Sequence, residues 1–171
     1  MKLYKIFILL LFLTVSSLAE TVDNIEINGN KRLSNDSILV FTKIEIDKNY
    51  TSEDLNAILK NLYKTNFFKD VNVRIKNNTL FIDVVENYIV ENIIFNGIKN
   101  KKMIETLNDI TKLKSRSSFM ESIFLNDINT IKNFLKSTGY YFANIKTSIE
   151  PNEDNNTTDL IYNIDLGVKA K

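Results

Sequence analysis

Residues 22–29, with the sequence VDNIEING, recur as residues 90–97, VENIIFNG, at an offset of 68 residues (90 minus 22). Two further echoes follow in the same order along the chain. Residues 68–71 (FKDV) are matched by 142–145 (FANI), and residues 80–84 (LFIDV) by 160–164 (LIYNI). A repeat of this size is a whole small domain, and tandem small domains usually form arrays that bind other molecules. The function must therefore suit two copies of one module.

Residues 1–19 have the features of a secretory signal peptide. Lys2 and Lys5 precede an almost entirely apolar run, residues 6–15, which is too short to span a bilayer comfortably. Ser17 and Ala19 are small residues at the two positions that a signal peptidase recognises, so we expect cleavage after Ala19. The alternative is that the segment stays uncleaved as a membrane anchor.

The composition excludes several classes of function. Without its leader the chain has 20 basic and 21 acidic side chains (22 minus 2, against 21), a balance that argues against a nucleic-acid binder. Cysteine and histidine are both absent, so the common transition-metal sites and nucleophile–base pairs cannot be built. The sequence predicts no catalytic, metal-binding or cofactor-binding residues. It also predicts modules held together by core packing, without disulfides.

The first module begins with an alternating strand, residues 22–28, that Gly29 ends. Ser34 is a suitable N-cap for a short helix. Asn49 and Tyr50 are expected to form a turn, after which Thr51 caps a second helix. Because asparagine tolerates left-handed backbone geometry, we expect it to replace the scarce glycine at many turns.

The second helix has one clear apolar stripe with helical spacing. The stripe consists of Leu55, Ile58, Leu59, Leu62 and Tyr63. Its middle positions, Leu59 and Leu62, are predicted to be buried. Residues 71–76 then alternate as a strand, Asn77 and Asn78 suit a tight hairpin turn, and residues 80–85 form an apolar strand in the middle of the sheet. The order is β-α-α-β-β.

The second module keeps this order. Residues 90–95 form its first strand, Asn100 caps a helix, and a longer helix follows until Gly139. Residues 145–149 alternate as the next strand, residues 151–158 are expected to form a mobile loop, and residues 160–166 form the last strand. The predicted fold class is therefore α+β, with two tandem modules. Each module has a three-stranded mixed sheet with two helices on one face.

Several segments together resemble the polypeptide-transport-associated (POTRA) domain family. They are residues 22–32 with Ile38, the run from Tyr63 to Val71, the junction at residues 84–97, and the corner at residues 139–143. With the leader in front, the layout is similar to the N-terminus of outer-membrane protein assembly factors of the BamA type. The resemblance divides the chain into a signal peptide (1–19), a first module (20–87), a second module (88–167) and the start of a third (168–171).

The resemblance implies an exported, non-enzymatic scaffold on the periplasmic side of the outer membrane, attached through a barrel that these residues do not include. Its partners would be unfolded outer-membrane β-barrel proteins and accessory assembly lipoproteins. Extended clients would pair with the edge of a sheet, and the resemblance makes the second strand of each module that edge. The candidate client-binding residues are Val71, Asn72, Val73, Arg74, Ile75, Lys76, Ile145, Lys146, Thr147, Ser148, Ile149 and Glu150.

Two other hypotheses remain open at this point. A division or secretion scaffold anchored in the inner membrane would carry a module of the same family and retain its N-terminal segment. An enzyme would need paired carboxylates, for which Asp83, Glu86 and Glu91 are the candidates near the link between the modules. These carboxylates suit solvated strand ends better.

Overall fold

A computed structural model describes residues 20–170, so the predicted leader, residues 1–19, lies outside the described part of the chain. The elements run in the order β1 (Glu20–Val22), β2 (Asn24–Asn28), α1 (Asn35–Thr42), β3 (Lys48–Tyr50), α2 (Ser52–Lys64), β4 (Phe68–Lys76), β5 (Thr79–Glu86), β6 (Ile89–Asn96), α3 (Lys101–Ile110), α4 (Glu121–Ser137), β7 (Asn144–Asn152) and β8 (Thr157–Asp165). The fold is α+β, and the β-α-α-β-β order occurs twice once the short strands β1 and β3 of the first module are set aside.

Each module has a three-stranded mixed sheet with the last strand in the middle. The strand orders are β2-β5-β4 and β6-β8-β7. In each sheet the first strand runs parallel to the central one, β2 to β5 and β6 to β8. In the second, β7 pairs antiparallel with β8. The described chain forms two compact units, one containing residues 20–65 and 71–84, the other residues 66–70 and 85–170. The domain boundaries at residues 87 and 167 remain predictions.

Local sequence signals explain where the helices begin. The Ser34 side chain accepts a hydrogen bond from the Ser37 amide at the start of α1, and Asn100 accepts one from the Met103 amide at the start of α3. Thr51 and Asp54 form a reciprocal capping box at the start of α2. These caps satisfy backbone N–H groups that the helices cannot pair internally, which confirms the predicted helix starts.

The predicted turn at Asn49 and Tyr50 is wrong. Both residues belong to β3, which pairs antiparallel with β1, and Val22 lies opposite Lys48. Tyr50 is buried, and its hydroxyl donates to the Glu45 carbonyl and accepts from the Glu45 amide. The predicted strand of residues 22–28 is correspondingly divided into β1 and β2. A three-residue strand is too short for periodicity to reveal.

Asparagine does replace glycine at turns. Asn66, Asn77, Asn78 and Asn156 all have positive φ. Glycine is required where the first strand of each module ends. A Cβ on Gly29 would lie 2.0 Å from the Val84 carbonyl oxygen, and a Cβ on Gly97 would lie 1.9 Å from that of Ile164. Only glycine fits at these two places.

The core of the second module lies between its sheet and its helices. The ring of Tyr162 on β8 stacks on that of Phe95, with centroids 5.1 Å apart, and its centroid lies 5.4 Å from that of Phe124 on α4. Fully buried Asp127 accepts hydrogen bonds from the amides of Lys112 and Leu113. This carboxylate therefore holds the loop after α3 onto α4. Burial, with a smaller contribution from the Asp127 charge, raises the pKa of Tyr162.

Helix α2 buries a narrower stripe than its sequence predicts. Ile58 and Leu62 are buried, whereas Leu59 is half-buried and Tyr63 is exposed. The prediction that Leu59 is buried was therefore wrong, because the buried line of α2 runs through Ile58 and Leu62 and Leu59 lies beside it.

We expect Leu62→Ala to lower the free energy of unfolding by about 2–5 kcal/mol, since it leaves a cavity in a packed core. Leu59→Ala is the matched control and should cost less than half as much, because its side chain is already partly hydrated. Urea unfolding followed by circular dichroism measures both. Equal costs would contradict the observed orientation of α2.

Candidate functional site

All twelve predicted client-binding residues lie in edge strands. Residues 71–76 belong to β4 and residues 145–150 to β7, and each of these strands has one neighbour in its sheet. Val71 is buried and the others are half-buried or exposed. An edge strand offers backbone N–H and C=O groups on its outer side, and a second chain can pair with them. The backbone groups of successive residues point alternately toward the neighbouring strand and away from it. This alternation is called the phase of the strand, and a residue has the outward phase when its N–H and C=O point away from the neighbouring strand.

The phase of β4 follows from its neighbours. The Asn24 amide of β2 donates to the Asn78 carbonyl, 3.3 Å away, so Asn78 faces β2 and the next residue, Thr79, faces β4. Asn77 and Asn78 form a two-residue turn with φ of 51° and 57°. In such a turn the flanking residues, here Lys76 and Thr79, exchange hydrogen bonds. Lys76 therefore faces β5.

Backbone direction alternates along an antiparallel strand, so the rest of β4 follows from Lys76. Asn72 and Arg74 face β5, and the N–H groups of Val73 and Ile75 point outward. At the start of the strand the Val71 amide, which has the same outward phase, donates to the Tyr63 hydroxyl at 3.2 Å. The open part of this edge therefore begins after Val71.

The same reasoning gives the phase of β7. The Ile89 amide donates to the Asn156 carbonyl at 3.0 Å, so Asn156 faces β6 and Thr157 faces β7. Thr157 lies opposite Asn152, and Pro151 lies opposite Thr158. The backbone groups of Pro151 therefore point outward, away from β8. An edge strand accepts proline at such a position, because the missing N–H would not have bonded to the neighbouring strand.

Counting back from Pro151, the residues of β7 that point their backbone groups outward are Ile145, Thr147 and Ile149. Lys146, Ser148 and Glu150 face β8. The expectation that residues 151–158 form a loop was wrong, because β7 extends to Asn152 and β8 begins at Thr157. Only residues 153–156 form the connection. The sequence signal for a longer strand was the spacing of two residues that continues from Ile145, Thr147 and Ile149 to Pro151.

The chain itself covers part of the opposite edge of the second sheet. The Val90 amide donates to the Ser117 carbonyl at 2.9 Å, and the Arg116 amide donates to the Val90 carbonyl at 2.7 Å. The Phe119 amide donates to the Tyr88 carbonyl at 2.7 Å. The loop of residues 114–119 thus occupies the outer side of β6 at its start. Sequence reasoning missed this loop, since it has no periodic pattern.

The side chains of β4 divide between two faces. Val71, Val73 and Ile75 share one face, on which Val71 is buried and the other two are half-buried. Arg74 is on the other face, where its guanidinium forms a salt bridge with Asp83 of β5 and lies 4.9 Å from the ring centroid of Phe81. A groove of about 230 Å³, lined in part by Tyr50, Leu55, Val73 and Ile75, runs beside the β4 edge.

The carboxylates considered for catalysis have separate partners. Asp83 is bound by Arg74 and by the Asn28 amide group, and exposed Glu91 accepts a hydrogen bond from the Thr157 hydroxyl at 2.9 Å. Glu86 is buried. Within residues 20–170, no group of three metal-binding side chains comes together. No helix in the same range has the length and apolar character needed to cross a membrane.

Family comparisons agree with this architecture. Residues 21–87 match the family model described as "POTRA domain, FtsQ-type", and residues 88–167 match the POTRA model described as "Surface antigen variable number repeat". Both modules are POTRA domains. Among solved structures, the N-terminal domain of Omp85 from Thermosynechococcus elongatus covers 88% of this chain and 64% of its own, with a TM-score of 0.54 and 15% identity. POTRA1-2 of Omp85 from Anabaena covers 91% and 100%, with a TM-score of 0.51 and 12% identity.

Two curated relatives carry the description "Outer membrane protein assembly factor BamA". The protein of Neorickettsia risticii is 28% identical over 149 residues, which are 86% of this chain and 20% of the relative. The protein of Neisseria meningitidis is 28% identical over an alignment of 181 positions, which spans 100% of this chain and 22% of the relative. The chain therefore spans about a fifth of the length of these relatives, and its POTRA domains are similar to the corresponding part of BamA proteins.

The ion pair on β4 makes a testable contribution to the stability of the first POTRA domain. The hydrogen bond from Arg74, followed by that from Asn28, lowers the pKa of Asp83 below its ordinary value of 3.8. A carboxylate whose pKa is lower in the folded chain adds stability above its unfolded pKa and loses it as the pH falls through the folded pKa. The stabilisation is therefore present at neutral pH and disappears in acid.

We expect Asp83→Asn to lower the free energy of unfolding at pH 7 by a few tenths to about 1 kcal/mol, since the pair is solvent-exposed. The difference from the unmodified protein should shrink as the pH falls well below 3.8. Urea unfolding at a series of pH values measures this. In an Arg74→Gln background the same substitution should have a weaker effect, and an undiminished effect there would contradict the pairing.

Proposed function

We propose that these two POTRA domains belong to the periplasmic scaffold of an outer-membrane protein assembly factor and bind client polypeptides by strand addition. The observation that carries the proposal is the outward phase of Val73 and Ile75 on β4 and of Ile145, Thr147 and Ile149 on β7. The similarity to BamA proteins over most of the chain supports the cellular setting.

Strand addition suits clients that are unfolded and diverse. Every extended polypeptide offers the same alternating N–H and C=O groups, so pairing with an edge requires little particular sequence. The three outward residues of β7 present up to one donor and one acceptor each, and each hydrogen bond contributes about 1 kcal/mol net. After the cost of association, the resulting affinity is weak. Weak binding lets a client leave for its final site.

The proposed partners are unfolded outer-membrane β-barrel proteins and accessory assembly lipoproteins. The scaffold is proposed to be non-enzymatic and to need no cofactor, and the balanced charge of the mature chain argues against nucleic acid as a partner. Attachment to the outer membrane is assigned to a barrel outside these residues. Residues 168–171 are proposed to lead into a third module.

An inner-membrane division or secretion scaffold is the second candidate. The family model that matches residues 21–87 is of the FtsQ type, which favours this reading for the first domain alone. The two candidates differ in the fate of residues 1–19, which are cleaved in the first and retained as an anchor in the second.

Proline substitution tests strand addition. Thr147→Pro removes an outward N–H without removing a bond to β8, and Pro151 already occupies the same phase in this strand. The variant should fold, and it should bind an extended peptide from an outer-membrane protein about fivefold or more weakly, as expected for the loss of one hydrogen bond. Chemical-shift perturbation in NMR titrations measures the affinity.

Two controls accompany this substitution. Thr147→Val keeps the amide and should bind like the unmodified protein. Ser148→Pro removes a donor that faces β8, so it should destabilise the hairpin, as seen by circular dichroism. Strand addition at β7 is excluded if Thr147→Val weakens binding as much as Thr147→Pro does.

The mature N-terminus distinguishes the two cellular settings. We expect N-terminal sequencing of the exported protein to begin at Glu20 and the protein to fractionate with the outer membrane. We expect cleavage because the apolar run of the leader is short and small residues precede the predicted cleavage site. Recovery of the intact leader in the inner-membrane fraction would support the anchored scaffold.

A further inference from the structure

A cavity of about 280 Å³ lies at the hairpin end of β7, and its lining residues all belong to the second compact unit. Ile149 and Pro151 line it from β7, and Phe119 lines it from the loop before α4. Tyr88, the residue before β6, also contributes to the lining. The charged side chains of Lys69 and Glu121 also contribute to the lining. Asn87 completes the lining, so four of the seven lining residues are aromatic or aliphatic.

The geometry of β7 directs a guest side chain toward this cavity. Ile149 lies opposite buried Leu160, so its side chain is on the helix-covered face of the sheet. Directly opposite residues in neighbouring strands share a face, with Cβ atoms about 4.5–5.5 Å apart. A guest residue paired opposite Ile149 therefore projects its side chain onto the helix-covered face, where the cavity lies.

The size and chemistry of the cavity select an aromatic side chain. A protein cavity of about 150 Å³ lined by apolar groups accepts benzene, so the larger volume here has room for one phenyl ring. The rings of Tyr88 and Phe119 offer aromatic contacts that favour another ring. Lys69 and Glu121 have opposite charges, and their sum gives no preference for a charged guest.

We propose that the second POTRA domain selects extended client segments that place a phenylalanine side chain opposite Ile149 and insert its ring into this cavity. The inference rests on the proposed strand addition and adds a side-chain preference to it. One ring in one cavity also fixes the register of the guest strand, which backbone pairing alone leaves free to slide by two residues.

Two peptides test the proposal on the chain of residues 20–171. Both are ten-residue peptides of alternating Thr and Lys, and they differ at one central Thr position, which is Phe in one peptide and Ala in the other. NMR titrations of the isotope-labelled protein give the dissociation constants. We expect the Phe peptide to bind about tenfold more tightly, and its ring protons to show cross-peaks to the Ile149 methyl groups.

A variant that fills the cavity provides the decisive comparison. Ile149→Trp should reduce the advantage of the Phe peptide to less than about twofold, while the affinity of the Ala peptide stays unchanged. Lys146→Trp places the same side chain on the opposite face of β7 and should keep the full advantage. If Ile149→Trp does not fold, Ile149→Ala removes one wall of the cavity and should reduce the advantage at least threefold.

The outcomes separate the two proposals. If both peptides shift the β7 amides and bind equally well, strand addition stands and the cavity proposal is overturned. The cavity proposal is also overturned if the Phe advantage persists in the Ile149 variants. If neither peptide binds, strand addition at β7 fails and the cavity proposal falls with it.

Discussion

The contact between a glycine and a carbonyl oxygen of the central strand sets the order of both sheets. Gly29 lies against the Val84 carbonyl and Gly97 against that of Ile164, so closely that a Cβ would overlap the oxygen. Because these two residues have no Cβ, the backbone can turn out of the sheet at the end of the first strand while it still lies against the central strand. With one side of the central strand taken by this parallel neighbour, the hairpin partner takes the other side. The second strand of each module consequently lies at an edge.

Once the edge is defined by backbone register, its side chains can diverge between the two modules. Arg74 on β4 is bound to Asp83 and Phe81 on the exposed face, whereas Ser148 has the same phase on β7. The helix-covered faces also differ, since β4 carries Val73 where β7 carries Thr147. The groups proposed to contact clients belong to the main chain and are common to both strands. Each module can therefore have its own side-chain preference on a shared backbone scheme.

The sequence was sufficient to predict the fold class because its strongest signals are local. Ser34, Thr51 and Asn100 satisfy helix N-termini within three residues, and Asn77 with Asn78 closes a hairpin by its own backbone preference. The missed features depend on distant partners. Strand β3 exists because β1 lies beside it, and the loop of residues 114–119 is placed by its contacts with residues 88–90 and by the hold of Asp127 on residues 112–113. The candidate edge residues could be identified from the sequence, but their outward or inward phase required the bonds at Asn78 and Asn156.

Pro151 also bears on how the protein avoids self-association. An exposed edge strand is a template for copies of itself, and repeated stacking of such strands produces fibres. At Pro151 the outer side offers a carbonyl but no N–H, so a ladder growing along β7 loses a rung at that point. An incoming strand can pair with the residues before it and must fray beyond it. The proposed client edge is thereby limited to short, reversible guests, and the proline reduces the capacity of β7 to seed the aggregation of other extended chains.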